Sequence, residues 1–358
     1  VAVGKSRLNY PLIDGKVVGC PSHLLEPQRT NLFSYSEDFN SGSPNWDLYG
    51  GATVTSNNAI SPDGTLNADK LSDVGGIYSQ RPYTQNTDYT FSLFVKKSTA
   101  TGLHMNFVDQ GAGYLGGTIV YTYSTNSIEI TQSANSSISA ESLDYGNGWI
   151  RLIMKFTTNV AQNYNYQSIE SIGGDSFIYG AQLEQGSYAT SYIPTSGSAV
   201  TRVAETANGA GDASTFNDSE GVLMVESSTL VDGESVRVIG LSDGSTNNRI
   251  SITYHSTLNR IQIFGSKAGD EIFNLEYLNS EKTNLNKVAV KYSASLIEFY
   301  YNGFLVDSVV PTDIFNTNTL DRLNFNRITG GNDFYGNVKQ LQYFDSALND
   351  SDLEKITS

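Results

Sequence analysis

The chain has 358 residues and a formal net charge of -15 at pH 7, from 22 Lys and Arg against 37 Asp and Glu, a length that points to two domains. Hydrophobic residues make up 39% and charged residues only 16%, with 33 Gly, 22 Tyr and 16 Phe, which suits a β-rich protein with a polar, mostly uncharged surface. That charge, with no cluster of Lys and Arg to offset it, argues against nucleic acid or an anionic membrane as partner, and no apolar run of ~18 residues offers a membrane-inserting helix.

In chain order, residues 1–26 read as an arm with too little apolar surface to fold alone, and the abrupt start suggests the continuation of a longer chain. Cys20, the single cysteine, permits no intrachain disulfide and is expected as a small buried hydrophobe. From residue 33 to 192, short strand-like runs are broken by turn residues at the spacing of a sandwich or barrel. The clearest is 149–157, where Ile150, Leu152, Met154 and Phe156 fall on one face. The stretch 180–194 predicts a closing strand that Ile193 and Pro194 end, because proline donates nothing to a ladder.

Residues 197–214 read as a tether, in which 200–204 can add an edge strand. A second all-β region follows from 215. Its strongest local signal is Asn302-Gly303 between alternating runs, a type I′ hairpin whose two central residues need positive φ. Near the end, Asn349 predicts a helix cap, with Asp350 and Asp352 placed at the positive end of the helix dipole.

The segments 24–31 (LLEPQRTN), Trp46, 59–64 (AISPDG), 180–184 (GAQLE) and 188–195 (YATSYIPT) together resemble a module of tailed-phage fibre and other virion surface proteins. The segments 288–292 (VAVKY), 301–304 (YNGF), 336–341 (GNVKQL) and 348–357 resemble the concanavalin A-like, laminin-G-like sandwich. The resemblance implies an all-β chain of two tandem antiparallel β-sandwiches, a carbohydrate-binding jelly-roll over 27–196 and a concanavalin A-like domain over 215–358, with a short C-terminal helix. It further implies a virion-surface location, other virion proteins as partners, a homotrimer, and a structural calcium near the first and last jelly-roll strands. Glu37, Asp38 and Glu184 stand at those places with the oxygen ligands calcium prefers.

No catalytic set is visible. Retaining glycosidases need two carboxylates about 5 Å apart, and Glu276, Glu281 and Glu298 stand alone. His23, His104 and His255 have no metal-ligand spacing and read as surface or packing residues. Neutral polysaccharide is instead held by aromatic platforms ringed by amides and hydroxyls. Trp46, Tyr49, Tyr114, Tyr164 and Tyr166 are the candidate platforms, drawn from a wider set that includes Tyr78, Tyr83, Tyr121 and Tyr123. The expected function is non-enzymatic recognition of host surface polysaccharide with no cofactor required. A ligand-free virion connector and a glycan depolymerase stand as the alternatives.

Overall fold

The computed structural model describes the chain except residues 1–6, 11, 14–15, 18, 41, 43–44, 109–115, 134–137, 159–164, 232–234, 257–258, 279–280 and 329–330, and the side chains of 12–13, 16–17 and 132–133. Apart from the helix Asp350–Thr357, its regular elements are strands, and every pairing among them is antiparallel. Two compact units result, one of Leu12–Val18 with Gln28–Arg202, the other of Val1–Pro11, Gly19–Pro27 and Val203–Ser358. Each is a sandwich of two sheets around its own core, which is the all-β architecture expected.

In the first sandwich, one sheet runs in the order Ile138–Gly146, Trp149–Thr157, Asp88–Lys97, Ser176–Gln185, Leu66–Leu71, Val54–Ile60. The other runs Ser127–Ser133, Gly117–Thr122, Gly102–Val108, Tyr166–Ile172, Gly76–Gln80, Asp47–Tyr49. Alternation decides which side chains meet between them. Leu152, Met154 and Phe156 from the first sheet and Leu103, Met105, Phe107 and Ile169 from the second fill the core, and the Phe107 and Phe156 rings stack at 4.0 Å. Trp149 falls on the opposite face, in a satellite cluster with Ala68, Phe94 and Tyr179.

In the second sandwich, the larger sheet runs Arg7–Asn9, Ser22–Leu25, Gly336–Phe344, Glu220–Thr229, Asn286–Ser293, Ile297–Tyr301, Phe304–Val309. The smaller runs Asp270–Leu278, Arg260–Lys267, Arg249–Tyr254, Arg237–Ser242, Arg322–Asn324. The hairpin at Asn302 and Gly303 forms as its sequence requires, with φ of 45° and 87°. The helix starts at Asn349, whose side chain accepts the Asp352 amide, and Leu353 packs on Val222, Met224, Ala289 and Tyr300.

Three placements differ from the sequence reading. The segment read as an arm over 1–26 supplies two strands to the sheet of the second sandwich, through Leu24 opposite Asn337 and Leu25 opposite Gly336. Leu25 is the apolar side chain that makes this favourable, being 1% exposed in that core. Within 197–214, by contrast, Val200–Arg202 forms the edge strand that 200–204 was expected to be able to add, paired with Arg29–Asn31. Cys20 is exposed rather than buried, because it lies in the connection ahead of Ser22–Leu25 and not in a strand. The closing strand of the first sandwich also ends at Gln185, earlier than Ile193-Pro194, where the chain turns at Gly186 with φ 143°.

Candidate functional site

The second sheet of the first sandwich turns one face to the core and leaves the other open. On Gly76–Gln80, Ile77 points inward, which puts Tyr78 and Gln80 on the open face. On Tyr166–Ile172 the same alternation buries Ile169 and presents Tyr166, Ser168 and Glu170. Gly102–Val108 adds Asn106 and Val108, and Asp47–Tyr49 adds Tyr49. Register brings them level: Tyr78 lies opposite Ser168, Ser168 opposite Asn106, and Asn106 opposite Thr118. These side chains line an open cleft of ≈ 450 Å³.

Along one wall the three tyrosines form a row, with ring centroids 5.9 Å apart from Tyr49 to Tyr78 and 5.4 Å from Tyr78 to Tyr166. Beside the row runs a hydrogen-bonded chain. The Thr118 hydroxyl donates to Asn106 Oδ1 at 2.7 Å, and Asn106 Nδ2 donates to Ser168 Oγ at 2.9 Å and to Glu170 Oε1 at 3.2 Å. The Tyr49 hydroxyl donates to the same Glu170 oxygen, and His104 Nδ1 lies 3.6 Å from Oε2. Gly76 makes the junction possible, since a Cβ there would lie 2.6 Å from Glu170 Cγ and 2.8 Å from the Tyr49 hydroxyl oxygen.

The electrostatics follow from these contacts. The His104 ring, and then the Tyr49 and Asn106 donors, hold the Glu170 carboxyl below the usual range, outweighing the opposing effect of burial. Burial first, and then the Glu170 carboxylate, push the Tyr49 phenol well above its usual range. Burial and the nearby Asp47 carboxylate raise that of Tyr78. Among the described residues, no Lys or Arg lines the cleft.

The structure brings together two of the five candidate platforms, Tyr49 and Tyr166. Trp46 is elsewhere: it is 0% exposed, packed against Phe33 and Phe39 at 4.9 and 5.2 Å, with its Nε1 donating to the Tyr35 carbonyl at 2.8 Å. Its polar neighbours in sequence hid a core side chain. Tyr114 and Tyr164 lie outside the described residues. Of the wider set, Tyr78 is in the cleft, while Tyr83 and Tyr121 are buried and Tyr123 packs against that core. His104, Asn106, Ser168 and Glu170 were not foreseen as site residues, although Tyr-x-Ser-x-Glu over 166–170 is a strand alternation that marks one polar face.

Glu37, Asp38 and Glu184 do not converge on one point. Glu37 accepts hydrogen bonds from the Tyr179 and Tyr192 hydroxyls at 3.1 and 2.9 Å, Asp38 accepts the Asn40 amide, and buried Glu184 accepts the Thr190 amide and hydroxyl. Among the described residues no group of three or more His, Cys, Asp or Glu is placed to hold a metal. The residues expected to hold calcium therefore do not fit it as a set, and each is occupied in a local turn or side-chain contact. Among the described residues, no helix is long and apolar enough to cross a membrane.

No family model and no curated protein matches the chain. Among solved structures, the carbohydrate-binding module CBM40 of the Ruminococcus gnavus IT-sialidase, bound to α2,3-sialyllactose, is similar over 42% of this chain and 94% of its own, at 14% identity and a TM-score of 0.36. The botulinum neurotoxin serotype G binding domain aligns with 72% of this chain and 51% of its own at 11% identity and a TM-score of 0.31. Domains LG4-5 of the mouse laminin α1 chain align with 86% of this chain and 94% of theirs at 10% identity and a TM-score of 0.27. Likenesses at these scores carry no argument about the site.

Proposed function

We propose that the tyrosine-lined cleft binds carbohydrate, without chemistry on it, and that the chain serves as a virion fibre protein that recognises host surface glycan. The observation that carries the binding half is the row Tyr49, Tyr78, Tyr166 beside the Asn106, Ser168, Glu170 hydrogen-bonding chain. Aromatic faces take the C–H face of a sugar ring while amide and carboxylate oxygens and nitrogens take its hydroxyls. At ≈ 450 Å³ the cleft is within the range of small-ligand sites. Binding rather than hydrolysis is favoured because Glu170 is the one carboxylate among the described residues lining the cleft, where glycoside hydrolysis uses a pair, and it is held ionised and so does not suit the general-acid role. The virion role rests on the sequence resemblance alone.

Among the described residues, one carboxylate and no Lys or Arg in the lining favour a neutral sugar over a sialylated one. In that respect the ligand differs from the sialyllactose named with the R. gnavus module. A glycan array carrying neutral and acidic host polysaccharides, read with wild type and Tyr78→Ala, tests the proposal. Neutral glycans should bind, and Tyr78→Ala should weaken them about tenfold, ~1.4 kcal/mol. Blank arrays, or binding indifferent to Tyr78, would remove carbohydrate recognition from this cleft. Labelling of host cells by the purified chain, competed by the same glycan, tests the attachment role.

A further inference from the structure

The first sheet of the first sandwich carries another cleft, of ≈ 350 Å³, on its non-core face. Along Asp88–Lys97 the alternation sends Phe91, Leu93 and Val95 into the core and leaves Phe94 and Lys96 on the other side. Lys96 lies opposite Trp149, whose ring forms the floor: Trp149 is 2% exposed, and its Nε1 donates to the Ile60 carbonyl at 3.0 Å. Ile60 ends the strand at the far edge of the same sheet, so this bond draws the turn after it across the face as a second wall. The turn at 146–148 closes the remaining side, and the Lys96 stem lies along it, since a Cβ on Gly148 would stand 3.5 Å from Lys96 Cε.

Lys96 is half-buried in this cleft. Among the described residues, no carboxylate lines the cleft and none pairs with Lys96. Asp63 and Asp144, the carboxylates next in the chain to lining residues, are engaged elsewhere. Asp63 accepts the Ser61 and Thr65 hydroxyls at 2.7 Å and the Tyr179 hydroxyl at 3.0 Å, and Asp144 accepts the Gly146 amide at 2.7 Å. An ammonium partly withdrawn from water gives up solvation that an oxyanion restores. The Tyr145 hydroxyl and the Asn147 amide line the same cleft, and among the described residues neither side chain has a hydrogen-bond partner. The Tyr145 ring is held edge-on to Phe94 at 4.8 Å, while Pro62 and Ile60, the latter 60% exposed, add apolar surface.

We propose that this cleft binds the uronate unit of an acidic polysaccharide, with Lys96 taking its carboxylate, Tyr145 and Asn147 its hydroxyls, and Ile60, Pro62 and Trp149 the C–H face of its ring. One cation, unpartnered neutral hydrogen-bonding groups and an apolar wall within a small-ligand volume match such a ring, whereas a bare inorganic anion uses only the first. The site lies on the other sheet of the sandwich from the tyrosine cleft and does not depend on it.

The test titrates the intact chain with a hexuronate trimer, the matching neutral hexose trimer, and inorganic sulfate at equal ionic strength, followed by calorimetry. The uronate should bind about tenfold tighter than the neutral trimer. Lys96→Gln should remove that preference, and Lys96→Arg should keep it. Asn147→Gly, at an exposed turn position whose φ of 53° suits glycine, does not put folding at stake and should weaken the uronate about threefold. Tyr78→Ala should leave uronate binding unchanged, which separates failure here from failure of the tyrosine cleft. Equal affinity for the two trimers, displacement of the uronate by sulfate at the same concentration, full uronate binding by Lys96→Gln or Asn147→Gly, or its loss in Tyr78→Ala would each overturn the proposal.

Discussion

A methyl group on Gly76 would lie 2.6 Å from both Glu170 Cγ and the Ile169 carbonyl oxygen. The carbonyl is backbone of the neighbouring strand and cannot step aside, so Gly76→Ala has to move the strand or the Tyr49–Glu170 junction above it. Expected are a loss of about 1–3 kcal/mol from the first sandwich and a fall of tenfold or more in glycan affinity. Chemical denaturation and the glycan titration read these separately; a variant with wild-type affinity would show that the junction does not shape the cleft. Asp69 sets a different test. It is 1% exposed, and burial pushes its carboxyl up to about 6, against amide donors from Phe39 and Asn57 that lower it. A raised carboxylate binds its proton more tightly folded than unfolded, so its contribution is full below about 4 and is lost as pH rises through about 6. The stability difference between wild type and Asp69→Asn should therefore decline by about 2–3 kcal/mol from pH 4 to 7 and level above. A difference independent of pH would rule this out.

Among the elements, the hairpin and the terminal helix of the second sandwich act as one unit. The Gly303 amide donates to the Thr357 hydroxyl at 3.2 Å, and a Cβ on Gly303 would stand 3.0 Å from Ser358 Oγ at a φ of 87°. Gly303→Ala should cost about 1–2 kcal/mol from left-handed strain alone. Hydrogen exchange should show the loss spreading to Asp350–Thr357; protection unchanged in the helix would separate the two elements. Both were legible beforehand because each is local: Asn302-Gly303 dictates its own turn and Asn349 its own cap. The cleft was only half legible for the opposite reason. Tyr49, Tyr78, Asn106 and Tyr166 are brought together by strand order, which no spacing along the chain encodes. Tyr49 and Tyr166 were reached through their aromatic type, whereas Asn106 and Glu170 carry no mark until their neighbours are known. Trp46 misled because burial answers to Phe33 and Phe39, not to the polar residues beside it.

At the scale of the whole chain, neither unit is a continuous stretch of sequence. The second sandwich takes residues from before and after the first, so its core includes Leu25, some 180 residues ahead of Val203. Backbone bonds fix that return: the Glu205 amide donates to the Glu26 carbonyl at 3.0 Å, and the Glu26 amide to Glu205 Oε2 at 2.8 Å. Arg7 bridges the two carboxylates, each 5% exposed at the side chain, so neither is left as an uncompensated buried charge. The Ser22–Leu25 strand meanwhile covers an edge of Gly336–Phe344 that would otherwise present unpaired amides and carbonyls. Comparing a chain that begins at Gly19 with one that begins at Gln28 isolates this segment, since both lack Arg7. The shorter chain should lose about 3 kcal/mol or more from the second sandwich, from Leu25 burial and the lost ladder together, while the first sandwich unfolds alike in both. Site-resolved hydrogen exchange distinguishes the two sandwiches. If both truncations unfold at one temperature with equal protection in Gly336–Phe344, the N-terminal segment is an appendage and the second sandwich is complete from Val203 onward.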